Sequence, residues 1–130
     1  MQAMCAYSID PLTILIVEDH PATQAAMLGL LGASFVGARV LAASSAEDAL
    51  ALCATQAPHL VIMDIVLPGM NGIEAAREIQ VRYPGTRVVM HSSNDMPIYR
   101  EESLAAGAVA FVSKSATASE LVPTLVSLCA

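Results

Sequence analysis

A fivefold alternation of periodicity constrains this chain more than any other feature. Continuous, predominantly apolar runs of strand length occur at residues 13–17, 38–42, 60–63, 87–90 and 109–112. Apolarity on both sides is what a strand requires when helices cover both faces of a parallel sheet. The intervening segments are of helix length and carry start and stop signals. Pro21 suits the first turn of a helix that has Gly32 near its end. Ser45 with Asp48 marks the N-terminus of a second helix, which ends before Pro58. Asn71 or Gly72 opens a third, which stops before Pro84-Gly85. Asp95 is expected to cap a fourth, with Gly107 just past its end. Thr117 with Glu120 reads as a capping box for a fifth, which Pro123, beyond the first turn, should kink or delay.

Five strands alternating with five helices predict a doubly wound α/β domain, a five-stranded parallel sheet flanked by helices. Right-handed crossovers leave few strand orders, of which 2-1-3-4-5 is a common one. Residues 1–11 read as an N-terminal extension and 12–130 as the domain. With 55% hydrophobic and 14% charged residues, the chain can bury a core and cannot be disordered. A net charge of −6, with the arginines scattered, argues against a nucleic-acid surface. The uncharged stretch 21–38 contains Pro21, Thr23, Gln24, three glycines and Ser34, so it reads as a helix running into a strand and not as a membrane span. The first residues lack a basic segment followed by an apolar one, and a cytoplasmic location is expected. Cys5, Cys53 and Cys129 have neither metal-ligand spacing nor an even count, so simple thiols in a reducing compartment are expected.

In doubly wound sheets, ligands bind beyond the carboxyl ends of the strands. Strand one ends in Glu18-Asp19, strand three in Asp64, strand four in Ser92-Ser93 and strand five in Lys114, the only lysine of the chain. Strand two offers only Ser44 and Ser45. Carboxylates about 5 Å apart repel by roughly 3 kcal/mol per pair at an effective dielectric near 20, so three of them at one edge call for a cation. An all-oxygen ligand set suits Mg²⁺ or Mn²⁺ better than zinc. His20 follows Asp19 directly, but one imidazole does not make a transition-metal site, and it reads as a loop or helix-start residue. A cation, the Lys114 ammonium and the Ser92 hydroxyl together form the clamp expected around a transferring phosphoryl group. Asp64, central at the end of strand three, is the candidate nucleophile, since no cysteine or histidine-activated serine lies at a strand end.

Taken singly, each of these residues has a plainer role as a turn former, a helix cap or a solvated charge. Their arrival at adjacent strand ends is what favours a site. A flavodoxin-like cofactor binder would need a phosphate-cradling loop after strand one, where this chain has two acids. An Asp-based phosphatase would carry an Asp-x-Asp string there, which is missing.

Four strings, ILIVEDHP, LVIMDIVLPGMNGIEA, VVMHSS and GAVAFVSKS, resemble in order and spacing the signature segments of bacterial response-regulator receiver domains, over residues 12–128. The resemblance implies a CheY-like fold and a role in two-component phosphorelay signalling. It implies Asp64 as phosphoacceptor and a Mg²⁺ held by Asp19 and Asp64, with Glu18 acting through water and the Val66 backbone carbonyl completing the protein ligands. It further implies Lys114 as the phosphate partner, Ser92 as the hydroxyl that swings toward it, and Phe111 as the aromatic switch that follows. Pro68, Gly69 and Gly72 match the loop after the phosphoacceptor. Ser at 92 and Ser115 after the lysine are similar to the NarL/FixJ type, whereas Ser93 replaces a frequent alanine. Val66 and Asn94 stand where the family tunes dephosphorylation. The implied donors are a sensor histidine kinase, a phosphotransfer protein or a small phosphodonor such as acetyl phosphate. Self-phosphorylation and autodephosphorylation are the only catalysis implied. The apolar run Leu121, Val122, Leu125, Val126 and Leu128 is expected either to meet a target or a second copy through the helix-four and helix-five surface, or to serve only as core and tolerated surface. A stand-alone protein is expected rather than the front of a longer regulator. The alternative reading is a receiver-like interaction module that works without phosphorylation.

Overall fold

The computed structural model describes residues 11–129, so Cys5 and most of the expected N-terminal extension lie outside the described residues. Five strands, β1 (Thr13–Val17), β2 (Arg39–Ala43), β3 (Leu60–Met63), β4 (Arg87–Ser92) and β5 (Ala110–Ser113), pair in parallel in the order β2-β1-β3-β4-β5. Five α-helices alternate with them: α1 (Pro21–Ser34), α2 (Ala46–Gln56), α3 (Gly72–Arg82), α4 (Pro97–Ala105) and α5 (Val122–Cys129). The expected topology is therefore the observed one. The runs at β2 and β5 begin one residue later than read from sequence, and β4 extends to Ser92, which carries that hydroxyl on the strand itself.

Strand pleating sorts the apolar residues of these runs into two cores. Leu15, Val17, Val61, Met63, Val88 and Met90 face α2 and α3, where Ala46, Ala49, Cys53, Ala76 and Ile79 meet them. Ile14, Ile16, Leu60, Ile62, Val89 and Val112 face the opposite side, against Met27 and Leu31 of α1 and Leu121 and Leu125 near α5. Burying a residue of this size stabilises by about 1.5–3 kcal/mol, which is why all five residues of β1 are buried.

Three local signals behave as read. Ser45 Oγ accepts from the Asp48 backbone N–H at the start of α2. Asn71 caps α3, and Glu74 returns the bond to the Asn71 backbone. Gly107, with φ +106°, follows α4 in a conformation that L side chains avoid.

Two signals do not. Asp95 does not cap α4, because Pro97 occupies the first helical position and makes Met96 the boundary residue. The Thr117–Glu120 capping box is not formed either. Lys114–Ala116 is a 3-10 turn and Thr117–Leu121 a π-helical turn, before α5 begins at Val122. Pro123 then lies in the first turn of α5, where its missing N–H leaves no bond unmade. The expected delay of helix five is thus real.

The apolar run of this region goes largely into the core. Leu121 and Leu125 are fully buried, and Val122, Val126 and Leu128 pack half-buried against the same cluster. Cys53 is a buried free thiol, pushed up by burial to about 11. Cys129 is disulfide-bonded, so the expectation of simple thiols fails at that position.

Candidate functional site

Backbone pairing delivers the acids. The Glu18 N–H donates to the Ala43 carbonyl at 3.0 Å and the Asp64 N–H to the Val17 carbonyl at 3.1 Å. The ladder therefore continues one residue past β1 and β3 and fixes both side chains at the sheet edge. Beyond Asp64 the chain turns sharply to reach α3. The Gly72 N–H donates to the Ile65 carbonyl at 2.8 Å. A Cβ on Gly72 would stand 1.8 Å from the Asp64 carbonyl oxygen, so the turn that seats Asp64 admits only glycine there.

Lys114 closes the site. Its ammonium lies 2.7 Å from Glu18 Oε1 and 2.9 Å from Asp64 Oδ2. The Asp64 Oδ1 atom accepts from the Ile65 N–H at 2.8 Å. Glu18 Oε2 accepts from the His20 backbone N–H at 3.0 Å and lies 2.9 Å from His20 Nδ1. Glu18 is only 1% exposed, with both oxygens engaged.

Charge states follow from these contacts. Burial pushes the Glu18 carboxyl upward, but hydrogen bonds from Lys114 and His20 outweigh it and hold Glu18 below the usual carboxylate range. Asp64 is raised, because burial there outweighs the Lys114 hydrogen bond and the nearby Glu18 charge adds to it. Burial works against the Lys114 ammonium, yet its bonds to Glu18 and Asp64 raise it above its ordinary value. His20 is raised by its hydrogen bond to Glu18 and then by the Asp19 charge.

Ligand-capable atoms of Glu18, Asp19, His20 and Asp64 all lie within 4.8 Å of one another. Asp19 Oδ1 is buried without a hydrogen-bond donor, its nearest ionic neighbour being His20 Nδ1 at 3.4 Å. A mostly carboxylate donor set with one such orphaned oxygen fits a hard divalent cation.

Of the residues read from sequence, the structure brings Glu18, Asp19, Asp64 and Lys114 together. Val66 lies in the loop between β3 and α3 with its side chain exposed. Ser92 is buried at the end of β4, where its Oγ accepts from the Asn94 N–H at 3.1 Å. Ser93 beside it is exposed. Phe111 pairs in register with Met90, and the Arg100 guanidinium lies 4.6 Å over its ring.

Three contributors went unread in sequence. Gln24 Nε2 on α1 donates to the Glu18 carbonyl at 2.8 Å and steadies the turn after β1. His20 begins α1 as read, but its ring also reaches Glu18. His91 on β4 is buried, with its Nε2 2.7 Å from Thr117 Oγ1. The adjacency of His20 to the acid pair was an available signal, whereas nothing local marks Gln24 or His91.

The response regulator receiver domain model matches residues 14–126. The transcriptional activator protein ExaE of Pseudomonas putida is 39% identical over 103 residues, covering 79% of this chain and 48% of that protein. The response regulator UvrY of Escherichia coli K12 is 32% identical over 121 residues, covering 90% of this chain and 54% of UvrY. The chain thus spans about half the length of these curated relatives. Among solved structures, a LuxR-family DNA-binding response regulator from Staphylococcus aureus superposes with a TM-score of 0.85 at 28% identity, covering 92% of this chain and 99% of that one. A CheY-like receiver from Methanospirillum hungatei gives a TM-score of 0.85 at 27% identity, over 92% and 94% of the two chains. Among the described residues, no helix is long and apolar enough to cross a membrane.

Proposed function

The chain belongs to the response-regulator receiver family of two-component systems, and from that premise we propose that it is a phosphorylation switch in which Asp64 accepts the phosphoryl group. The observation that carries this reading is the Lys114 ammonium bridging the buried Glu18 and Asp64 carboxylates at 2.7 and 2.9 Å. A lone lysine held this way positions a positive charge beside the nucleophile before any phosphate arrives.

In the proposed reaction a carboxylate oxygen of Asp64 attacks phosphorus in a phosphohistidine of a sensor kinase or phosphotransfer protein, or in acetyl phosphate. The P–N or P–O bond to the donor breaks, the donor leaves with the electron pair, and an acyl phosphate forms on Asp64. A bound Mg²⁺ or Mn²⁺ supplies charge neutralisation for the phosphoryl oxygens. Asp19 and Asp64 are the direct ligands in this reading, with the Val66 carbonyl. Glu18, whose oxygens are taken by Lys114 and His20, acts through water. Lys114 then transfers its contact from Asp64 to the phosphate, and Ser92 gives up Asn94 to donate to the same group.

Phe111 and the face formed by α4, β5 and α5 are the proposed output. Driving such an equilibrium from 1:99 to 99:1 takes about 5.5 kcal/mol of differential stabilisation. New charge-assisted bonds to an ammonium, a hydroxyl and a cation are of the right size to supply it. The target and the kinase act in the cytoplasm in this reading.

Intact-protein mass after incubation with acetyl phosphate and Mg²⁺ tests the reading. One added phosphoryl group on the wild type, and none on Asp64→Asn, is the expected result. A folded wild type that gains no mass from acetyl phosphate or from any histidine kinase would leave the phosphorylation-independent interaction module.

A further inference from the structure

The phosphotransfer chemistry leaves the buried imidazole of His91 without a role. His91 is 2% exposed and pairs in register with Val112, which packs in the core under α1 and α5. Its Nε2 lies 2.7 Å from Thr117 Oγ1, and Thr117 Oγ1 donates to the Lys114 carbonyl at 3.1 Å. A hydroxyl carries one hydrogen. With that hydrogen given to the carbonyl, the imidazole must be the donor, so His91 is protonated on Nε2. Burial, and then the Lys114 charge, lowers the His91 pKa to about 4, which leaves the ring neutral at pH 7.

The Ser113 hydroxyl also ties the segment that carries Lys114, accepting from the Ser115 N–H at 3.2 Å. A cavity of about 280 Å³ opens between α1 and this segment, with Met27 and Leu30 on one side and His91, Lys114 and Thr117 on the other. Side-chain packing therefore does not pin Thr117 from that direction. The backbone here is a 3-10 turn running into a π-helical turn, without the regular bonding of an α-helix. A polar tether to β4 holds this turn at Thr117.

We infer that His91 is a positioning residue for Lys114: through the Thr117 hydroxyl it fixes the Lys114 backbone carbonyl, and with it the point from which the ammonium reaches Glu18 and Asp64. The tether crosses from β4, the strand that ends in Ser92, to the segment after β5. It thus ties the two phosphate-facing side chains into one mechanical unit. The inference about what this does for catalysis rests on the phosphotransfer reading, whereas the inference about where the ammonium sits does not.

Because Lys114 is the only lysine, ¹⁵N-lysine labelling gives a single ζ-ammonium resonance to follow in the unphosphorylated protein. His91→Leu and Thr117→Val are each expected to move that resonance and to speed its hydrogen exchange about fivefold, the worth of one neutral hydrogen bond. The double variant should be no worse than either single one, since both cut the same tether. His91→Gln, whose amide nitrogen reaches as far as Nε2, should restore the wild-type signal. Phosphoryl uptake from acetyl phosphate should fall about fivefold and recover in the same pattern, while Mg²⁺ affinity stays unchanged. A ζ-ammonium unmoved in folded His91→Leu, additive effects in the double variant, or no rescue by folded His91→Gln would each overturn the inference. Should His91→Leu fail to fold, Thr117→Val against wild type carries the same test. A wild type that takes no phosphoryl group while its ammonium responds as described would defeat the phosphotransfer reading alone.

Discussion

Replacing Gly72 by alanine sets two physical expectations against each other. Gly72 is the first residue of α3, and its φ is not in the left-handed region. Helix propensity by itself would therefore make alanine stabilising, by up to about 1 kcal/mol. The added Cβ, however, would stand 1.8 Å from the Asp64 carbonyl oxygen, 2.8 Å from its carbonyl carbon and 2.9 Å from Met63 Cγ. An ordinary contact needs more than 3 Å, and two of the three atoms are backbone that cannot rotate aside. Overpacking of this kind costs about 1–3 kcal/mol, and a clash against backbone belongs at the upper end. The net expectation is a loss of about 2 kcal/mol. With a urea slope near 1.5–2 kcal/mol/M, the unfolding midpoint should fall by about 1 M. Because relief requires the Asp64 backbone to move, phosphoryl uptake from acetyl phosphate should drop by more than the change in folded fraction explains. Gly72→Ala with an unchanged or raised urea midpoint would refute the steric argument and return the position to simple propensity.

Metal and pH give two further tests. Millimolar Mg²⁺ should raise the thermal midpoint of the wild type, by about 1.4 kcal/mol of stability at ten times its dissociation constant, and Asp19→Asn should largely abolish that gain in a calorimetric scan. An equal gain in Asp19→Asn would remove Asp19 from the ligand set. His91, neutral in the fold with a pKa of about 4 against about 6.5 unfolded, contributes stability that is complete above pH 6.5 and is lost as pH falls toward 4. The difference amounts to about 3 kcal/mol. Urea midpoints of wild type and His91→Gln, compared across that window, should converge as the wild type loses this contribution, and parallel curves would count against the buried neutral ring.

The carboxylates titrate in overlapping windows with opposite signs, which is why the comparison with His91→Gln is needed. Glu18, held below its usual value, contributes stability above about 4.5 that is lost as pH falls through its lowered value. Asp64, raised in the fold, costs stability progressively as pH rises from its unfolded value to its raised value, and in full above that.

Local sequence carried the sheet and the edge on which the site lies. Runs such as those of β1 and β3 are apolar on both faces, and only a sheet covered on both sides accommodates them. Strand ends in a parallel sheet share one edge, so Glu18, Asp19, Asp64 and Lys114 had to meet once the strands were known. Capping at Ser45 and Asn71 was legible because donor and acceptor lie three residues apart and need no third party.

What tertiary structure decided lies where a side chain had a distant competitor for its bonds. Thr117 and Glu120 have the spacing of a capping box, yet His91, 26 residues away, meets the Thr117 hydroxyl and a π-helical turn replaces the expected helix start. Asp95 lost its capping position to the proline two residues on. The close approach of α3 to the Asp64 backbone, which makes Gly72 obligatory, is a distance between elements that no local pattern encodes. The sequence by itself determined which residues reach the edge of the sheet, because strand periodicity and chain direction are local properties. Their mutual distances, and the bonds that hold Lys114 between Glu18 and Asp64, were decided by packing, because a hydrogen bond goes to whichever partner the fold brings near.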